Sequence, residues 1–167
     1  GEIYISKAEK MEEATGLETE ALAKIYRLHG EAKVAIGDFE GGQAYFKKAL
    51  SIADKIDAQS WGNDIIIIQS MIACFYHAHK YEELVAFLNN RKWYNNLESA
   101  RERAKELKSG YVAGYLNSLF ILSYAHMQLY RKTKEQRHLI TAYNWQRLGF
   151  EMAEYRTVIN ESEKIGS

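Results

Sequence analysis

Proline does not occur in the 167 residues, where an average soluble chain of this length would hold about eight. Helix interiors exclude proline because it removes a backbone donor and clashes with the preceding turn. A chain without it, and rich in Ala, Leu, Glu, Lys and Ile, reads as nearly all helix. There is one cysteine, Cys74, so no intrachain disulfide framework is possible. It lies in the apolar stretch "MIACFYHAH", where a buried cysteine is commonplace and a catalytic one is not favoured. No secretory leader and no run of about 18 apolar residues occurs. Membrane insertion is therefore not expected, and the cytoplasm is the default location. Neither sign of charge dominates, with 22 basic and 22 acidic residues. A global field for nucleic acid or an acidic membrane is thereby excluded.

Local imbalance remains. The first 20 residues carry Glu2, Glu9, Glu12, Glu13, Glu18 and Glu20 against Lys7 and Lys10, and "RKTKEQRH" from Arg131 to His138 is basic. Both read as solvated helix faces. The length suits one domain, residues 1–167. The opening Gly1 has no initiator Met before it, which fits a segment of a longer protein.

Apolar residues at helical spacing are plain in "ALAKIYRLHGEAKVAI", where Ile25, Leu28, Ala32, Ala35 and Ile36 fall three or four apart. Gly37 and Asp38 then interrupt, as a C-terminal glycine followed by an N-capping Asp should. A second stripe follows in Phe39, Phe46, Ala49, Leu50, Ala53 and Ile56. Together they predict an αα-hairpin with a tight turn. "DIIIIQSMIACFYHAHK" with "YEELVAFLNN", and "GYLNSLFILSYAHMQLYRK" with "HLITAYNWQRLGFEMAEY", repeat the arrangement. "IIII" at Ile65 to Ile68 would also suit a buried strand, but Asn63 and Asp64 make a good helix start and the apolar pattern continues for three turns. "KAEKMEEATG" from Lys7 aligns with "KALSIADKID" from Lys48 at an offset of 41 residues. "RERAKELKSG" from Arg101 is a looser third copy. Self-similarity at a fixed period marks stacked helix pairs, because one pair cannot bury its faces alone.

Tyr26, Gly30, Gly37, Asp38, Phe39, Gly42, Phe46, Ala49 and Leu50 together resemble one tetratricopeptide repeat. In that family a small residue on the first helix lets the second cross closely, a role that Gly30 fits. Gly42 fits the small residue that packs back from the second helix, and Phe46 with Ala49 would fill the next contact. The likeness covers Ala23 to Ile56 well. It continues through Ala73, Phe75, Tyr81, Leu84 and Leu88, then thins to Ser123, Ala125, Ala142 and Gly149. The period exceeds the family's usual one, its usual proline is missing near Asp54 and Lys55, and "NNRKWYNNLESARERAKELKSG" lengthens the middle. The longer variant is similar to bacterial regulatory proteins: peptide-pheromone receptors, repeat-bearing histidine kinases and helix-turn-helix regulators. The resemblance implies an all-α, right-handed superhelical solenoid of antiparallel hairpins. About seven helices are expected, the first being the second half of a repeat.

The same resemblance implies a non-catalytic scaffold that binds a protein or peptide on its concave face, with first helices lining the groove. The inward positions would be Lys24, Arg27, Glu31 and Val34, then Gln69, Ala73, Tyr76 and His77, then Asn117, Phe120 and Tyr124. Some members hold a peptide carboxylate with basic residues and an asparagine. Glu31 stands where that asparagine would help, so a peptide carrying a basic group suits the site better. The alternative is a sensor domain of a signalling or transcription-regulator protein, responding to a peptide or a neighbouring domain. A homodimer through exposed repeat ends is the expected self-association.

No catalytic, metal or cofactor site is expected. His77 and His79 stand two apart, so on a helix they point about 200° from each other and cannot chelate one metal. His29, His126 and His138 lack acidic or cysteine partners at ligand spacing. No G-x-S-x-G, P-loop, G-x-G-x-x-G or H-E-x-x-H occurs, and the paired carboxylates Glu12-Glu13 and Glu82-Glu83 lie on surface faces. Among the aromatics, Tyr26, Phe46 and Phe75 read as packing residues, while Trp61, Trp93 and Trp145 are less periodic and read first as partly buried core residues, with one of them as an exposed contact the alternative. "NNRKWYNN" carries too few cations for a nucleic-acid track.

Overall fold

The computed structural model describes residues 2–56, 63–107 and 109–165. All regular structure among them is helical: α1 (Glu2–Glu13), α2 (Glu20–Ala35), α3 (Phe39–Ala53), α4 (Asn63–His77), α5 (Tyr81–Asn89), α6 (Leu97–Glu106), α7 (Ser109–Thr133) and α8 (Gln136–Ile165). Eight helices stand where about seven are expected. The additional one is α6, whose only buried helical side chains are Ala100 and Ala104. The chain forms two compact units, Gly1–Ala78 and His79–Ser167.

In the first unit, each helix packs on the next in chain order, and α2 also meets α4. The tight turn after α2 is built as its sequence dictates. Gly37 adopts φ +83°, a left-handed conformation that glycine takes without a Cβ penalty. Its N–H donates to the Val34 carbonyl and the Asp38 N–H donates to Lys33, which closes the helix end. Asp38 then caps α3 by accepting from the Gly41 N–H at 2.9 Å. Asp38→Ala should lower stability by ~1 kcal/mol, the usual worth of such a cap, read as a shifted urea midpoint at unchanged slope.

Close approach of α2 and α3 depends on two glycines. A Cβ on Gly42 would lie 2.6 Å from Val34 Cγ2 and 3.1 Å from the Gly30 carbonyl oxygen. A Cβ on Gly30 would meet the Phe46 ring at 2.5 Å. Phe46, Ala49 and Leu50 are fully enclosed, and so are Ile65, Met71, Ile72 and Cys74 of α4. The four isoleucines thus belong to a helix, with Ile66 half-buried on its outer side. Helix α1 docks on α2 largely through polar contacts. Tyr26 donates its phenol to Glu13 at 2.7 Å. Burial first, and that carboxylate second, push the Tyr26 phenol above its ordinary range. Glu9 lies 2.6 Å from His29 Nδ1, a close approach rather than an aligned hydrogen bond.

In the second unit, α7 and α8 form a long hairpin. Helix α5 lies on α7, and α6 lies mainly on α8. Ser123 donates to the Ala142 carbonyl at 2.7 Å across the hairpin. Gly149 repeats the logic of Gly30, since a Cβ there would sit 2.7 Å from the Phe120 ring. Tyr94, in the connection from α5 to α6, packs on Tyr115 of α7 at 5.2 Å between ring centres. Trp145 is buried in the hairpin, and Trp93 is half-buried with Lys92 and Arg103 over its ring. Trp61 lies outside the described residues. Among the described residues, no helix is long and apolar enough to cross a membrane.

Candidate functional site

The half-exposed side of α4 carries Ile66, Gln69, Ser70, Ala73, Tyr76 and His77, three or four apart. On α2 the corresponding stripe is Lys24, Arg27, Glu31 and Val34. One contact fixes the two stripes together. The Ser70 hydroxyl lies 2.7 Å from Glu31 Oε1 and 3.1 Å from the Ile66 carbonyl, and its proton serves the nearer carboxylate. The same Oε1 is paired with Arg27 one turn back on α2. A cation, a carboxylate and a hydroxyl thus converge between two helices of one unit.

Around this centre, Lys24 is exposed and paired with Glu20 at 2.6 Å. Tyr76 is half-buried and meets the exposed His77 ring edge-on at 5.6 Å. The charges of the centre nearly cancel. What it presents is a mixture of donors, acceptors and aromatic area, which suits a peptide backbone and its side chains. Ser70 was not among the expected groove residues, although it lies beside Gln69 on the same stripe.

The three expected positions on α7 belong to the second unit and divide between two settings. Asn117 is exposed. Tyr124 is 41 % exposed, and its ring meets Tyr81 of α5 edge-on at 5.9 Å. The Tyr81 phenol in turn shares a 3.0 Å hydrogen bond with His79 Nδ1. Phe120 faces α8, with its ring against Gly149 and 5.3 Å from the ring of Phe150. It is a packing residue of the hairpin as much as a surface one.

A histidine pair that sequence spacing did not suggest closes the α7–α8 hairpin. His126 Nδ1 and His138 Nδ1 are 3.0 Å apart, so one ring donates and the other accepts. Lys134 takes φ +61° in the intervening turn and brings the two helices back together. Burial first, and the neighbouring His138 second, pull His126 down to about 4 from its ordinary 6.5. The charge nearby includes Glu82 of α5, held below the usual carboxylate range chiefly by the hydrogen bond from Lys132. Because the unfolded chain protonates near 6.5 and the folded one only near 4, stability is full above that window and falls as pH drops through it. About 2 kcal/mol should be lost between pH 7 and pH 5 from this group. Urea midpoints at the two pH values measure it, and His126→Gln should flatten the difference.

Among the described residues, no three His, Cys, Asp or Glu side chains converge as metal ligands. Cys74 is buried, with Sγ 3.4 Å from the Phe39 carbonyl oxygen. The chain matches no family model, no curated protein and no solved structure.

Proposed function

We propose that this chain is a non-catalytic, tetratricopeptide-like scaffold that binds a peptide or an extended protein segment along the face shared by α2 and α4. In this reading, the helix pairs belong to a right-handed superhelix and the α2–α4 face is part of its concave side. The observation that supports it best is the Glu31–Ser70 hydrogen bond. It joins two half-exposed stripes into one surface, and the glycine-dependent packing of α3 lies behind α2. A basic side chain of the ligand would compete with Arg27 for Glu31. Tyr76 would supply apolar area for the adjoining backbone.

Selection of displayed linear peptides against the purified chain tests this. Sequences bearing Lys or Arg should be enriched. Glu31→Gln and Tyr76→Ala should each weaken the selected peptides by ~1–3 kcal/mol, the range of a modest binding hot spot, while thermal melting stays close to that of the parent. Failure to enrich any sequence, or binding that ignores both substitutions, would overturn the reading. Acidic peptides in place of basic ones would overturn the role given to Glu31.

A further inference from the structure

A surface helix ordinarily buries one apolar stripe and turns a polar face to solvent. Helix α8 does not. Its inner side buries Ala142, Trp145, Leu148 and Met152, yet on its outer side Ile140 is 59 % exposed, Tyr143 62 % and Phe150 57 %. These three fall in a strict alternation of three and four residues that also includes Gln136, Arg147 and Glu154. Such spacing lines the six positions along one side of the helix, as in the seam of a two-helix coiled coil, with apolar residues at three of them. It lies on the second unit and is independent of the α2–α4 face.

Charge order along the seam says what would cover it. Arg137 stands near the start of the stretch, Arg147 just past its middle, and acidic Glu151 and Glu154 near its end. A parallel copy would set Arg147 against Arg147 and Glu154 against Glu154, which is repulsive. An antiparallel copy, with the two-fold axis near Trp145, places Ile140 opposite Phe150 and Tyr143 opposite Arg147. Gln136 then faces Glu154, and Arg137 lies beside that same carboxylate. The layers become one apolar contact, one cation–aromatic contact and one polar contact, each made twice. Glu151 is already held by Arg101 at 2.9 Å, so Glu154 is the acidic partner left for the seam. Arg137 pairs with Glu135 at the surface, an ion pair that is easily exchanged. A formal net charge of zero leaves no global repulsion between copies.

We infer that the outer face of α8 is a self-association surface that pairs with the same face of a second copy in antiparallel register. The seam from Arg137 to Glu154 is ~27 Å long at 1.5 Å per residue. That is short, so the dimer is weak and depends on concentration.

Sedimentation velocity of the full chain from ~1 μM to ~1 mM covers the range expected of a small interface. The sedimentation coefficient should rise from that of a monomer to that of a dimer. Phe150→Glu should abolish the rise, with a small drop in melting temperature from loss of its edge-on contact with Phe120. Arg137→Glu and Glu154→Arg should each raise the dimer dissociation constant ~10-fold. Combining both in one chain, or mixing the two single variants, should bring it back to within ~3-fold of the parent. A monomer at every concentration, or a dimer indifferent to Phe150→Glu, would overturn the surface. Loss without rescue in the combined reversal would overturn the antiparallel register. Peptide binding at α2–α4 should be unaffected in all of these variants, which separates the two sites.

Discussion

Phe46→Ala is expected to lower stability by ~3–5 kcal/mol, the usual cost of emptying an enclosed aromatic site. Phe46 is 1 % exposed, and its ring occupies the space that a Cβ on Gly30 would need. Neither helix backbone can move in to fill the gap, because α2 and α3 already touch through Gly42 at the Gly30 carbonyl. Urea unfolding at pH 7 measures the loss. The converse substitution, Gly30→Leu, keeps the ring and forces it aside, at ~1–3 kcal/mol. The two changes share one volume and should not add. Gly30→Ala with Phe46→Leu should cost less than the sum of the single variants. If Gly30→Leu were as stable as the parent, the close crossing of α2 and α3 would be wrong.

Tyr115→Ala is expected to have a comparable effect in the second unit, ~3–5 kcal/mol by the same reasoning. This ring is fully enclosed and its hydroxyl does structural work. It donates to the Trp93 carbonyl at 2.6 Å, with the Ala100 carbonyl a longer 3.4 Å away. Tyr115→Phe separates the two contributions. It keeps the ring but leaves the part-buried Trp93 carbonyl without its donor, at ~1–3 kcal/mol. Burial, and then Tyr94, also push the Tyr115 phenol above its ordinary 10. The folded state therefore disfavours the phenolate. Stability from this group is full below pH 10 and falls as the pH rises past it, where the unfolded chain begins to lose the proton. Tyr115→Phe should reduce that alkaline loss. An unchanged alkaline profile would show that the phenol is not shielded as described.

The parts of the fold that could be read from the sequence are those where local chemistry and packing agree. Gly37 and Asp38 end one helix and start the next with backbone conformations and caps that few other residues supply. Gly30, Gly42 and Phe46 stand at the spacing their contact requires. Helix α4 could be read through Asn63 and Asp64 despite its four isoleucines. Helix α6 leaves only a faint trace, the loose third copy in "RERAKELKSG", because its apolar side is only alanine, too small to register as a stripe. The Asn96 cap, which accepts from Ser99 N–H at 2.8 Å, was the remaining signal. For the candidate site, the Arg27–Glu31 pair follows from i,i+4 spacing. The link to Ser70 spans 39 residues and depends on the path of α3, so no local pattern announces it. The pairing of His126 with His138 likewise needs the hairpin to be closed first. The place of Phe120 on α7 suggests a groove residue, whereas the glycine that receives its ring lies 29 positions later, on another helix.

Arg156 carries a consequence for how this protein can be cut or recombined. Its guanidinium reaches across to the end of α6 and donates to the carbonyls of Ala104, Lys105 and Leu107. Those oxygens are the acceptors that a helix terminus leaves without an internal partner. The close of a ten-residue helix is therefore completed by a side chain about 50 positions downstream. Repeat proteins are usually shortened or spliced one pair at a time, because each pair depends only on its neighbours. Here a cut between α6 and α7, ahead of the α7–α8 pair, would strand α6 without its lid of positive charge. A chimera that keeps α6 must also keep α8 through Arg156, so the second unit is inherited whole.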